Sequence, residues 1–252
     1  MTRSTDAPRL LISVDSYAVR LAISHAEIQA AQALRFNVFN LELNEGLDGS
    51  YATRTDADEF DPVCDHLVVE HHATGEIVGT YRMQSGTAAR RNLGYYSARE
   101  FDFAPYEPVR DQLIELGRAC VDHAHRNLAV LGLLWKGIAD YAGGCGARYL
   151  IGCSSLSSTD PAVGATVYGD LCRNHLAAPE LRTRPLPHCE CSLRELTEDA
   201  PPAPKLLRAY LTLGAKICGP PALDRQFGTI DFLTLLDLEA LAPQTRARFF
   251  GA

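Results

Sequence analysis

Gln112-Leu-Ile-Glu-Leu-Gly-Arg-Ala-Cys-Val121 has the length and apolar content of an interior β-strand, yet it carries an acid and a base, Glu115 and Arg118. A buried, unpaired carboxylate is costly, so charges in such a segment need a partner or a task. Side chains alternate faces along a strand, and positions three apart should point opposite ways. Gly117 changes that expectation. A glycine inside a strand often marks a bulge, and one extra residue there brings Glu115 and Arg118 onto one face and turns backbone N–H groups toward a ligand. From these residues alone two readings stand, a structural ion pair that steadies the sheet and a site.

Beyond the strand, Val130, Leu131, Leu134, Trp135, Ile138 and Ala142 form a helical stripe that should stop at Gly143-Gly144, and Arg148-Tyr-Leu-Ile-Gly-Cys153 reads as the next strand. Strand, helix and strand in that order predict a right-handed parallel crossover, with a ligand crevice just past Arg118. On the N-terminal side, Tyr17, Val19, Leu21 and Ile23 alternate as in a half-buried strand, and Ser24-His-Ala-Glu27 fits a capping box ahead of Ile28, Ala31, Leu34, Arg35, Val38 and Phe39 at helical spacing. After an irregular stretch from Asn44 to Asp61, Asp65–His71 and Glu76–Met83 flank His72-Ala-Thr-Gly75 as an antiparallel hairpin. The long connection Gln84–Arg110, with Arg90, Arg91 and Arg99, is of the kind that is functional or mobile. Further on, Asp160–Asn174 and Leu206–Ala215 read as helices, Lys216–Cys218 and Thr229–Leu236 as strands, Leu238–Phe250 as a closing helix, and Ala177–Pro204 shows no period. The expected fold is α/β: a mixed, twisted sheet with helices on both faces, in one elaborated domain over residues 1–252 with a core of about 17–236.

Composition narrows the classes. With 252 residues and 46% apolar content the chain can bury one large core, and a net charge of -7 argues against nucleic acid or anionic membrane as a generic long-range partner. Met1-Thr-Arg-Ser-Thr-Asp-Ala-Pro8 lacks a signal peptide's apolar core, and eight scattered cysteines read as reduced thiols, so a cytoplasmic chain is expected. His188-Cys-Glu-Cys191 has no second ligand pair at zinc spacing, and no metal is expected. Gly152-Cys-Ser-Ser-Leu156 lacks the second glycine of a nucleophile elbow, and His175-Leu-Ala-Ala-Pro-Glu180 has the spacing of an acyl-transfer dyad in the wrong context. Asp56-Ala-Asp-Glu-Phe-Asp61 lacks the glycine and distal acid of a calcium loop and reads as a solvated acidic loop.

The charges on core elements are Arg35, Glu42, Asp65, Arg82, Glu115 and Arg118. With Arg35-Phe-Asn-Val-Phe-Asn-Leu-Glu42, Phe60-Asp-Pro-Val-Cys-Asp-His-Leu-Val-Val69, Gly79-Thr-Tyr-Arg-Met83 and Glu115-Leu-Gly-Arg118, the chain resembles the acyl carrier protein-dependent N-acyltransferases of the GNAT fold. Gly152-Cys-Ser-Ser155, His175-Leu-Ala-Ala-Pro179, Leu206–Lys216 and Phe227-Gly-Thr-Ile-Asp-Phe232 are similar to the ornithine N-acyltransferases of ornithine-lipid synthesis, more than to the related acyl-homoserine lactone synthases. Ordinary GNAT acetyltransferases grip the coenzyme A pyrophosphate with a glycine-containing loop, and the matching stretch here, Arg126-Asn-Leu-Ala-Val-Leu131, has no glycine.

The resemblance implies transfer of a long (3-hydroxy)acyl chain from the phosphopantetheine thioester of acyl carrier protein to the α-amino group of ornithine, with coenzyme A as an alternative donor and no permanently bound cofactor. It implies Glu115 as general base, directly or through water, with Gly117 and Arg118 completing the catalytic strand and bulge N–H groups serving the oxyanion. Cys153 as an acyl-carrying nucleophile is weak. An ornithine-like acceptor suits Arg82 or Arg118 at its carboxylate and Glu42, Asp65 or Asp231 at its second ammonium, with Arg35 and Ser154 nearby. Arg90, Arg91, Arg99, Cys120, Arg126 and Leu131 are the candidates toward the donor and its acidic carrier. Rival readings are N-acylation of glycine or an aromatic amino acid, and a non-catalytic acyl-carrier or lipid-binding protein. Since the implied product enters a membrane, Arg246-Ala-Arg-Phe-Phe250 offers a peripheral lipid contact, against the alternative of core packing.

Overall fold

Among residues 11–250, which the computed structural model describes, nine strands form one sheet. The Met1–Pro8 segment lies outside the described residues. In chain order the elements are β1 (Leu11–Val14), β2 (Tyr17–Leu21), α1 (His25–Phe36), a π-helical turn Asn37–Glu42, α2 (Ser50–Thr53), β3 (Asp65–His71), β4 (Glu76–Ser85), α3 (Gly86–Arg91) and β5 (Leu113–Val121). They continue as α4 (Leu128–Cys145), β6 (Tyr149–Leu156), α5 (Pro161–His175), α6 (Lys205–Thr212), β7 (Lys216–Ile217), β8 (Ala222–Asp224), β9 (Thr229–Asp237) and α7 (Pro243–Phe250). The strand order is β1-β2-β3-β4-β5-β6-β9-β7, with β8 also on β9.

The expected hairpin is β3–β4, and the expected crossover is β5–α4–β6, whose strands pair in parallel while every other pairing is antiparallel. Ser24 caps α1 as read: its hydroxyl accepts the Glu27 N–H at 3.2 Å and Glu27 accepts the Ser24 N–H at 3.1 Å. Two helix ends differ from expectation. α4 runs through Gly143-Gly144 and stops at Gly146, whose φ of 63° is the left-handed cap a helix end uses. The closing segment opens with a 3₁₀ turn, Leu238–Ala240, and restarts at Pro243, which favours a first helical position. The aromatic ring of Phe249 lies 5.7 Å from Trp135, so this end packs on the core.

One face of the sheet is covered by α4 and α7, where Val19, Leu67, Met83, Ile114, Leu133, Ile138 and Leu150 form the largest apolar cluster. The other carries α1 and the connection from Gly86 to Gln112, whose Tyr95, Phe101, Phe103 and Tyr106 pack on Leu113, Ile151, Leu233 and Leu235. Glu115 shares a face with Leu113, so it lies under that connection.

Candidate active site

The glycine in the opening strand does mark a bulge. Thr80 pairs with Cys120 and Arg82 with Gly117, so two residues of β5 oppose Tyr81 alone. The strain falls on Arg118, whose φ is 51°. The extra residue turns Arg118 to the face of Arg82 and Glu115, while Leu116 and Ala119 pack on the opposite core.

Immediately beyond, the sheet opens. β5 and β6 pair at Leu113–Tyr149, Ile114–Leu150 and Glu115–Ile151 and then diverge, although β6 stays on β9 as far as Leu156. Gly152 is where they part: a Cβ there would stand 2.1 Å from the Leu116 carbonyl oxygen, so only glycine allows this approach. A Cβ on Gly117 would meet nothing within 4 Å. The β5 edge from the bulge to Cys120 therefore faces a gap in which an extended chain could lie against backbone N–H and C=O groups.

Glu115 is buried, and three donors hold its carboxylate: Gln84 Nε2 at 2.8 Å and the Tyr96 N–H at 2.8 Å on Oε2, and the Ser97 N–H at 2.7 Å on Oε1. It fastens the turn carrying Tyr96 to the strand. The Tyr96 hydroxyl in turn accepts from Arg118 Nη2 at 3.2 Å, and the Arg118 guanidinium lies 4.8 Å from the Tyr96 ring and 4.2 Å from Phe227.

The Asp56–Asp61 segment is the main correction to the sequence reading: its three aspartate side chains turn inward, while Ala57 and Glu59 stay exposed. Arg35, with no exposed surface, holds Asp61 through Nη1 at 2.9 Å and Nη2 at 2.7 Å and meets Asp56 through Nε at 2.7 Å. Arg82 holds Asp58 at 2.6 Å and Asp61 at 3.0 Å, and Arg118 reaches Asp56 and Asp58 at 3.3 Å. Burial alone would raise the Asp61 carboxyl, but hydrogen bonds and charge from Arg35, then Arg82, hold it well below the carboxylate range. Three arginines and three aspartates thus neutralise one another beneath the site. Burial lowers the neighbouring His66, whose Nε2 lies 3.0 Å from the Asp61 carbonyl.

A second acidic group has no ion-pair partner among the described residues. Glu100, Cys153 and Asp231 bring one side-chain atom each to within 4.8 Å of the others, on the same sheet face, at the β6–β9 side of the gap. Glu100 and Asp231 are buried, and neither forms a salt bridge among the described residues. Burial, then the charges of Asp231 and Asp224, pushes Glu100 well up, and burial with Asp224 nearby raises Asp231 to about 6. Hydrogen bonds from Ser155 and Thr229, the latter at 3.1 Å, favour the charged form of Asp231, whereas the bond to Asp231 favours the protonated form of Glu100. Burial and these acids also keep the Cys153 thiol protonated, which disfavours it as a nucleophile. The donor set is one that can hold a metal, but Glu100 and Cys153 would first have to lose protons that burial retains.

Other predicted residues scatter. Asp65 accepts from Tyr141 at 2.8 Å on the α4 face, and Ser154 accepts from Thr234 at 3.1 Å on that same side, so both turn away from the gap. Glu42 pairs with Arg126 where β5 ends. Arg90 pairs with Asp111 at 3.4 Å and Arg99 with Glu59, whereas Arg91 has no ion pair among the described residues. Cys120 is buried beside Leu34 and Val38 under α1, and Leu131 is 40% exposed on α4. Glu100, Tyr96, Asp56, Asp58, Asp61 and Phe227 were not among the predicted residues. The Gln84–Arg110 connection signalled the first two by its length.

The acetyltransferase (GNAT) domain model matches residues 34–136. The AHL synthase LasI superposes with a TM-score of 0.55 at 12% identity over 94% of this chain and 95% of its own. FeeM, an N-acyl amino acid synthase from uncultured soil microbes, does so with 0.55 at 14% over 89% and 91%. Fold and family model together define a GNAT-type N-acyltransferase. The L-ornithine N(alpha)-acyltransferase of Brucella abortus is 36% identical over 96% of this chain and 92% of its own, and that of Rhodobacter capsulatus 34% over 92% and 93%. The chain belongs to the L-ornithine N(alpha)-acyltransferase family.

Proposed function

We propose that the protein acylates the α-amino group of ornithine with a long (3-hydroxy)acyl chain from a thioester, giving lyso-ornithine lipid. The observation that carries this reading is the parting of β5 from β6 at a bulge: the gap accepts an extended pantetheine arm, and its carbonyl carbon would lie by the bulge, where N–H groups near Gly117 stabilise the oxyanion. The neutral amine attacks that carbon, and as the tetrahedral adduct expels the sulfur the amine's proton passes through water to it, so that amide and free thiol form with no acyl-cysteine. The three hydrogen bonds that tie Glu115 to Gln84 and the Tyr96–Ser97 turn favour a positioning part, setting Tyr96 beside Arg118, with Arg118 toward the acceptor's carboxylate.

For the donor we favour acyl carrier protein. Asn127 Oδ1 accepts from the N–H groups of Ala129 and Val130, both at 3.0 Å, so the first turn of α4 is already capped where a coenzyme A pyrophosphate would need free donors. Incubating the protein with acyl carrier protein thioester or acyl-coenzyme A and following free thiol tests this. Ornithine-dependent thiol release is expected with both, at lower KM for the carrier; release that ignores ornithine would exclude the reading.

A further inference from the structure

The Glu100–Asp231 pair differs from the other buried acids of the site, of which Glu115 is held by three N–H donors and the rest by arginines. Asp56, Asp58 and Asp61 each meet an arginine, whereas Glu100 and Asp231 face each other with no basic side chain paired to them among the described residues. The donors around the pair are neutral: the Ser155 and Thr229 hydroxyls bond Asp231, Thr229 at 3.1 Å, and Glu100 meets the Cys153 thiol at 3.9 Å and Asp231 itself. Two carboxyl groups this close repel unless a proton or a cation stands between them. The pair lies on the sheet face of Arg118, whose charge reaches Glu100, with Tyr96 influenced by both. A pocket with a cation on one side and an unneutralised acid pair on the other fits a zwitterion that carries one additional positive charge.

We propose that Glu100 and Asp231 form the specificity pocket for the side-chain ammonium of the acceptor, so that the site selects amino acids whose side chain ends in a primary amine. This deepens the acyl-transfer reading and rests on it. A primary ammonium has three donors and bridges both carboxylates, and its arrival displaces the proton that Glu100 otherwise holds. An acceptor without that amine leaves the pair as it is and loses the contact. The pair then governs which amino acid binds, while the thioester chemistry at the bulge is common to all acceptors.

The test compares ornithine with norvaline, the same chain without its terminal amine, in the wild type and in the near-isosteric variants Glu100→Gln and Asp231→Asn. Each variant should raise KM for ornithine roughly 10- to 100-fold, the range for losing a charged hydrogen bond, and narrow the preference for ornithine over norvaline in kcat/KM by a similar factor. Equal losses on both amino acids, or an unchanged ornithine KM, would overturn the proposal. Calorimetry of the wild type in buffers of different ionisation enthalpy makes the test independent of variant folding. Ornithine should bind with proton release and norvaline without it; identical proton counts would sink the pocket. A wild type that binds ornithine this way but transfers no acyl chain would refute the activity and leave the pocket standing.

Discussion

Three N–H donors tie Glu115 to Gln84 and to the turn of Tyr96 and Ser97, and on that ground we propose that it positions this turn rather than serving as the base. In Glu115→Gln an amide N–H₂ must face either Gln84 or the backbone of Tyr96–Ser97, which costs about 1–3 kcal/mol. At roughly 2–4 °C per kcal/mol for a chain of this size, a lower melting temperature is expected together with reduced kcat. The pH profile separates the roles, because a positioning residue leaves the acidic limb of kcat/KM in place. An unchanged melting temperature with loss of that limb would restore Glu115 as the base. Glu115 and Arg118 are legible in the sequence because charge stands out in an apolar strand, and Gly117 tells of the bulge between them. Their partners are not, since Asp56-Ala-Asp-Glu-Phe-Asp61 reads alike whether solvated or buried. What buries it is the convergence of Arg35, Arg82 and Arg118 from α1, β4 and β5, a long-range fact. Glu100 is hidden for a similar reason, within a connection that has no period.

At the scale of elements, the site is a fault between two strands. Crossover, hairpin and capped helix follow from local patterns, so they are readable; the divergence of β5 and β6 is not, because it depends on which glycine of β6 meets which carbonyl of β5. Two alanine substitutions separate the roles of those glycines. Gly152→Ala pushes a methyl group onto the Leu116 carbonyl, a backbone atom that cannot swing aside, and should cost on the order of 3 kcal/mol with loss of activity. Gly117→Ala adds a methyl group where nothing lies within 4 Å, so the melting temperature should hold while KM for the acyl donor rises about tenfold, the effect of ~1.4 kcal/mol. A donor KM that does not move in Gly117→Ala would take the thioester out of this gap.

For the whole molecule, two sets of buried acids pull the pH dependence in opposite directions. Asp61 and Asp58 are depressed by their arginines, so they contribute stability above their unfolded pKa that is lost as pH falls. Removing one partner leaves an uncompensated buried charge, and Asp61→Asn should cost about 3–5 kcal/mol near pH 7. Asp231 is raised from 3.8 to about 6, so its contribution is complete below about pH 4 and is lost as pH rises through 6. That displacement is worth on the order of 2–3 kcal/mol. Asp231→Asn should therefore raise the melting temperature of the free protein at pH 8 and leave it unchanged at pH 4, the pattern of an acid pair awaiting a cation. A variant no more stable than wild type at pH 8 would remove that strain from the account. No helix among the described residues is long and apolar enough to cross a membrane.

The central claim is amide formation at one nitrogen of ornithine by this sheet and its bulge. The most direct measurement is tandem mass spectrometry of the product made from 3-hydroxyacyl-acyl carrier protein and ornithine labelled with ¹⁵N at the α-amine alone. The account predicts a single acylated ornithine with the label in the amide and one thiol released per product. Label in a free amine, or thiol released with only free fatty acid formed, would contradict it.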